Sequence, residues 1–536
     1  MNLKKNAFIF YIVSSCLVLV LVVVTFILHR HDKIRQLSAE YYTQLPDNAP
    51  DTDPLMGISE DFITDPDVFA GNLPLVVLHI DTELPEYKYF GEGYEQVVED
   101  VDPWTTGHIA LYENESGLNT LRDIPVMTSD IRIKKRGHTS YGFDKSQYYI
   151  KLITGEGLDN PQEVFGMAAE DSWILNGSMA DKSMIRNYLG YRVAAQIMEY
   201  APRCAFCEMF TEENGVYTYQ GVYLMMESIK QSENRVPIDE SKKDEVYTSY
   251  LVRRDRYTNF DTMLDTYARL EGLSEEWIGV KYPSVAKQTE DNLAYIQEDF
   301  SKIERMLMSD DPTVYKRYPR YIDVDSFVDY FLINEYFGNY DAGEHSTYMY
   351  KSSYGKLKIG PVWDFDQAMN NSSSAEADPY TLAMQDRAFF ENLANDSTFI
   401  EKLKSRYAFL RTTYLNDKYI SGIIDETNRY LVAARQREWY RWAEDYLDDS
   451  GERHGNYYLD DYEKEGIVIS RFNDDYEQEI LTIKTYLNIH GENIQSELSG
   501  IQESCTETTG PLGEMTLLFL ITCCLFAVPS ILINRK

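Results

Sequence analysis

Three aspartates carry the strongest chemical signal in the chain. Asp341 stands in Asn339-Tyr340-Asp341, just after the apolar run Phe327 to Phe337, and Asp364 and Asp366 stand in Trp363-Asp364-Phe365-Asp366. Between them, Ser346 to Lys351 and Lys356 to Val362 have strand composition, joined by the turn sequence Ser352-Ser353-Tyr354-Gly355. The order is helix, loop acid, hairpin, acidic pair. A hairpin holds such carboxylates at its open end, where Asp341 can orient and deprotonate a hydroxyl. Asp364 and Asp366 offer hard oxygens to Mg²⁺, the division of labour found in phosphoryl transfer. A single loop aspartate is ordinary turn chemistry. Three at one loop end repel one another unless a cation lies among them.

Other stretches suit the same chemistry less specifically. Arg136-Gly137-His138-Thr139-Ser140 to Lys145 lies between two predicted strands. Gly137 permits close backbone approach, Thr139 and Ser140 can meet phosphate oxygens, and Arg136 or Lys145 can neutralise them. The same composition also suits a plain hairpin turn. Lys151, in the apolar strand Tyr148 to Leu152, needs an anionic partner or a solvent-facing position. Asp181 reads as the cap of a helix with apolar positions Ile185, Leu189, Val193 and Ile197, and it can pair with Lys151 or a nucleotide. Glu227 ends the strand Gln220 to Glu227 and reads as a nucleotide contact, a lysine partner or an exposed strand end. Cys204-x-x-Cys207 lacks a second Cys or His pair, so it reads as a local disulfide or two packed thiols rather than half a zinc site.

These residues need a large scaffold, and the chain has 536 residues, 44% hydrophobic and 26% charged. That suffices for a two-lobed catalytic domain with extensions. A net charge of −36 argues against a nucleic-acid partner. Ala7 to Leu28 is uncharged and apolar, as is Met515 to Ile533, and each is long enough to span a bilayer. Lys4 and Lys5 before the first span, and Arg535 and Lys536 after the second, place both ends in the cytoplasm and the intervening chain outside. The expected organisation is a tail (1–6), a span (7–28), an acidic linker (29–72), a catalytic domain (73–410), a helical extension (411–500), a linker (501–514), a span (515–533) and a tail (534–536). Strand patterns at Leu73 to Ile80, Ile131 to Lys134, Tyr148 to Leu152 and Trp173 to Leu175 give an α+β N-terminal half. The pattern after Asp366 is helical.

Taken in order, the motifs resemble the spore-coat CotH family of atypical secreted protein kinases. The resemblance rests on Arg136-Gly137-His138-Thr139-Ser140, Phe143, Lys145, Ile150-Lys151, Trp173 and Ala180-Asp181-Lys182. It continues through Arg186-Asn187, Gly221-Val222-Tyr223, Glu227, Asn339-Tyr340-Asp341 and Trp363-Asp364-Phe365-Asp366. It implies a two-lobed kinase-like fold and transfer of the ATP γ-phosphate to Ser or Thr of a surface or exported protein, with Mg²⁺ or Mn²⁺. It implies Asp341 as the catalytic acid, Asp364 and Asp366 as metal ligands, and Arg136, Gly137, Thr139, Ser140, Lys145, Lys151, Asp181 and Glu227 around the nucleotide. Three positions depart from the family pattern: His138 replaces Asn, Asp144 replaces Pro, and Ser346 stands where Asn is frequent. The 43 tyrosines and the acidic surface also suit a non-catalytic binding or adhesion protein on the same fold. AMP transfer is a further alternative.

Overall fold

The computed structural model describes residues 65–85, 102–137, 139–243, 245–371, 378–447 and 475–504, with short pieces at 14, 17–21, 38–42, 45, 59, 62–63, 462–464 and 467–469. Two sheets dominate the N-terminal part. The first is a closed seven-stranded barrel of β1 (Leu75–Ile80), β2 (Thr105–Tyr112), β3 (Met127–Arg136), β4 (Gln147–Ile153), β5 (Ser172–Asn176), β6 (Cys204–Glu213) and β7 (Val216–Glu227), in the order β6-β7-β5-β4-β3-β2-β1. Neighbours are antiparallel except β6 and β1, whose parallel pairing closes the barrel. The period of two explains the strands: Ile131, Ile133, Ile150 and Leu152 fill the barrel, while Lys134, Arg136, Tyr149 and Lys151 alternate outward. Helix α1 (Arg186–Ala194) lies in the connection from β5 to β6.

The second sheet has β8 (Tyr250–Asp255), β9 (Thr262–Leu264), β10 (Trp277–Tyr282), β11 (Thr347–Lys351) and β12 (Lys358–Ile359), in the order β9-β10-β8-β11-β12. The predicted hairpin is β11 and β12, and it joins a larger sheet through β8. Helix α2 (Glu290–Leu307) starts at a Thr289–Asn292 capping box. Helix α3 (Val324–Phe337) holds the apolar run and is buried along most of its length. It stops at Gly338, whose φ of 59° is the left-handed cap that turns the chain toward Asp341. The α+β class and the helical pattern after Asp366 both hold, the latter as α4 (Ser397–Arg411), α5 (Asp417–Tyr430), α6 (Val432–Tyr446) and α7 (Tyr476–Ser504).

Helices α6 and α7 are bolted to the barrel and to α3 by buried polar groups. Glu438 of α6 meets Lys145 Nζ at 2.5 Å, accepts the Val222 N–H at 2.6 Å and accepts the Tyr446 hydroxyl at 2.5 Å. Arg437 forms two 2.6 Å bonds to Glu208 of β6. Lys145→Met is expected to cost about 3–5 kcal/mol, because Glu438 would stay buried without its cation. Adding Glu438→Gln is expected to restore much of that loss, and urea midpoints of the two variants measure it. On α7, His490 Nδ1 and Nε2 face the carbonyl oxygens of Pro379 and Glu335 at 2.9 and 2.7 Å. Both nitrogens therefore donate. Burial opposes the imidazolium, but the Glu335 carboxylate raises the histidine pKa above its ordinary value.

Two expectations about the fold, the linker and the Asp181 cap, need correcting. Part of the expected acidic linker (29–72) is packed: the Tyr42 hydroxyl donates to Pro202 O at 2.6 Å, its ring meets Tyr188, and Phe69 lies against Phe210 and Tyr219. Asp181 does not cap a helix at its own position. Helix α1 begins at Arg186, whose N–H Asp181 accepts from outside at 3.0 Å. Cys204 and Cys207 are two buried free thiols. Burial pushes the Cys204 thiol up to about 12, so it is unreactive. Among the described residues no helix is long and apolar enough to cross a membrane. Segment 515–533 and most of 7–28 lie outside the described residues.

Candidate active site

A cleft of about 600 Å³ separates the β3–β4 face of the barrel from the second sheet. Asp341, Asp364 and Asp366 line it together with Arg136, Gly137, Ser140 and Ser346. The turn after α3 places Asp341, whose carbonyl accepts the N–H groups of Glu344 and His345 at 3.2 and 2.8 Å. Asn339 ties this turn to the acidic pair, since its side-chain amide donates to Asn334 Oδ1 at 3.1 Å and to Trp363 O at 3.2 Å.

The acidic pair sits on a strained backbone. Asp364 has φ 65° and Ser346 has φ 49°, conformations that non-glycine residues adopt only when their surroundings impose them. Helix α1 imposes one of them: the Tyr191 hydroxyl accepts the Asp364 N–H at 3.2 Å, and Asn187 Oδ1 accepts the Phe365 N–H at 2.7 Å. The Arg186-Asn187 stretch thus positions the metal-ligand candidates and stands outside the cleft wall itself. Ser346 donates to Asp364 Oδ2 at 3.4 Å.

The electrostatics of the pair follow from burial. Burial raises the Asp364 pKa, the Arg136 guanidinium opposes that rise, and Asp341 adds to it. Burial pushes Asp366 far above the usual carboxylate range, with Asp364 as the next cause. The two carboxyls are hydrogen-bonded to each other. Two half-buried acids held in contact are a hard-oxygen donor set that takes up a proton when no cation is present. That chemistry fits Mg²⁺ or Mn²⁺.

A cationic cluster faces the acids. Lys134 of β3 lies opposite Tyr149 in register, and its Nζ is 5.1 Å from the Trp104 ring centroid and 4.7 Å from that of Phe260. Burial and the nearby Lys281 lower its pKa to about 8. Arg136 lies 5.7 Å from the Trp363 ring and donates to Gln147 at 2.7 Å. Arg253 and Lys281 complete the cluster, each held to Asp261, at 3.4 and 2.8 Å. Four cations, of which Lys134 and Arg136 lie against aromatic rings, form a seat for a polyanion bearing a planar ring. The sequence reading missed Lys134, Arg253 and Lys281. Lys134 was detectable only as a cation on a strand adjoining the Gly137 loop.

Gly137 has φ 115°, and a Cβ there would overlap the Ser140 hydroxyl, so this turn needs glycine. The Thr139 side chain and His138 lie outside the described residues. Four expected nucleotide contacts are absent from the cleft wall. Lys145 is buried against Glu438. Lys151 meets Asp159 at 2.7 Å and Asp171 at 3.6 Å, beyond the cleft. Asp181 is committed to Arg186 at 2.6 Å and to the Ser183 N–H and hydroxyl. Glu227 is enclosed by Arg203 at 2.5 Å, Arg235 at 3.7 Å and the Tyr200 hydroxyl at 3.2 Å.

A mixed α+β scaffold that sets an acidic triad against a cationic, aromatic pocket has the site of a kinase-type phosphotransferase. Residues 133–489 match the family model described as CotH kinase protein, which spans most of the chain. The chain belongs to the CotH kinase family. No curated protein shows a significant match to it.

Proposed function

We propose that this protein is an ATP-dependent protein kinase that phosphorylates Ser or Thr hydroxyls. The observation that carries this reading is the joint placement of Asp341, Asp364 and Asp366 opposite Lys134, Arg136, Arg253 and Lys281 in one cleft. Lys134 and Arg136 neutralise the phosphate chain, with Gly137 and Ser140 approaching it closely. Asp364 and Asp366 would hold Mg²⁺ or Mn²⁺, which when bound offsets the charge of the β- and γ-phosphates. Asp341 orients the acceptor hydroxyl and takes its proton. The acceptor oxygen then bonds to the γ-phosphorus, the bond from that phosphorus to the β–γ bridging oxygen breaks, and ADP departs.

In this reading residues 73–410 form the catalytic domain, and 411–500 its helical extension. The apolar segments 7–28 and 515–533 anchor the chain in a bilayer, with the catalytic part on the exocytoplasmic side and an exported or surface protein as acceptor. Incubating the purified chain with γ-labelled ATP and Mg²⁺ or Mn²⁺ tests the central claim. Label is expected on Ser or Thr, in the chain itself or in co-incubated surface proteins. Lys134→Met is expected to raise the KM for ATP. Absence of label with both metals, in a protein that still binds ATP, would assign the cleft to binding without transfer.

A further inference from the structure

The barrel carries a row of side chains outside that cleft that phosphoryl transfer does not use. Across the neighbouring strands β6, β1, β2 and β3 stand Glu212, His79, His108 and Asp130. His79 lies directly opposite His108, and His108 directly opposite Asp130. The two imidazole rings stack with centroids 6.1 Å apart and planes 29° apart. A groove of about 510 Å³ opens over the row.

Each ring is held by a carboxylate on the same atom. His79 Nδ1 is 2.9 Å from Glu212 Oε2 and 3.0 Å from the Glu212 carbonyl. His108 Nδ1 is 2.6 Å from Asp130 Oδ1. These oxygens only accept, so both Nδ1 atoms carry the hydrogen and the ligating lone pairs belong to the two Nε2 atoms. Asp81 Oδ1 lies 3.8 Å from His79 Nε2, while its other oxygen accepts from the Thr106 hydroxyl at 2.6 Å. A separation of 3.8 Å is too long for a hydrogen bond. It falls within the span of two metal–ligand bonds of about 2.1 Å each.

We infer that His79, His108 and Asp81 form a site for a divalent transition metal of the imidazole-preferring class, of which Zn²⁺ is the type, with Glu212 and Asp130 fixing the two rings. The carboxylate–imidazole–metal arrangement is the usual way such ligands are oriented. Among the described residues no three ligating side chains are already gathered around one point, so binding draws the His108 ring across. The side chains are 38% and 61% exposed, which leaves them room to move. Imidazole ligands set this site apart from the all-oxygen Asp364–Asp366 pair, which favours hard cations.

The test uses the full chain in excess Mg²⁺, with Zn²⁺ as the only added probe and binding read by competition with a chelating dye. The wild type is expected to show a class of bound Zn²⁺ that His79→Ala and His108→Ala each lack, with melting curves matching the wild type. Asp130→Asn keeps both imidazoles and is expected to weaken binding about 10–100-fold. Equal uptake by the wild type and both histidine variants overturns the inference, and so does a wild type that takes up no Zn²⁺.

Discussion

Asp341→Asn is expected to lower phosphoryl transfer by about 10²–10⁴-fold, the usual contribution of a positioned base, while ATP still stabilises the protein. Asn keeps the size of the side chain but loses the ability to take the acceptor proton. The turn that carries it is built from backbone bonds to Glu344 and His345, so it should survive the change. Initial rates and ATP-dependent melting on the same preparation separate the two effects. An unchanged rate would remove Asp341 from the mechanism. Equal loss of rate and of ATP stabilisation would show a structural role instead.

Asp364→Asn is expected to have opposite effects with and without metal. In metal-free buffer, Asp364 and Asp366 have folded-state pKa values above their unfolded ones. The folded state therefore binds more protons, and stability falls as pH rises from the ordinary carboxylate range through the raised values. Asn removes one of the two half-buried charges, so the variant should melt higher than the wild type at about pH 8 and lose much of that advantage near about pH 4, the ordinary carboxylate value. Saturating Mg²⁺ should reverse the order. A ligand at 100 times its Kd adds about 2.7 kcal/mol to the wild type, and the variant lacks the oxygen that binds it. Melting at the two pH values with and without Mg²⁺ checks both signs. Parallel shifts in wild type and variant would show that Asp364 does not bind the cation.

The elements that hold the acids were legible because their signals are local. The apolar run Phe327 to Phe337 reads as a buried segment, and the Ser352 to Gly355 turn residues between two strand-like runs read as a hairpin. The cationic wall was not legible, and Lys151 shows why. Its strand and its outward direction were both readable. Tyr149, two residues earlier on the same face, reaches the cleft, while Lys151 lies about 7 Å further along. The lysine that does reach the cleft is Lys134, because β3 pairs with β4 so that Lys134 faces Tyr149 and Arg132 faces Lys151. Register between strands is set by three-dimensional packing, which no single-strand pattern records. Lys145 and Glu227 failed for another reason. Their partners are an acid far downstream, Glu438, an arginine brought alongside by the β6–β7 pairing, Arg203, and one in the chain after β7, Arg235. The Asp364 and Phe365 N–H bonds to Tyr191 and Asn187 were hidden likewise, although Arg186-Asn187 stood out in the sequence.

Helix α7 touches the Asp341 turn directly. The Tyr486 hydroxyl occupies the space that a Cβ at Gly338 would need and lies 3.5 Å from the Tyr340 hydroxyl, His490 donates to the Glu335 carbonyl near the end of α3, and Glu479 pairs with Arg186 at 2.6 Å. Those groups are made after both sheets when the chain is synthesised from its N-terminus. A nascent chain can close its barrel and second sheet yet still lack the packing behind Asp341 until α7 has emerged. The order of synthesis is therefore itself a timing signal: the cleft reaches its finished form only once α7 has been translated.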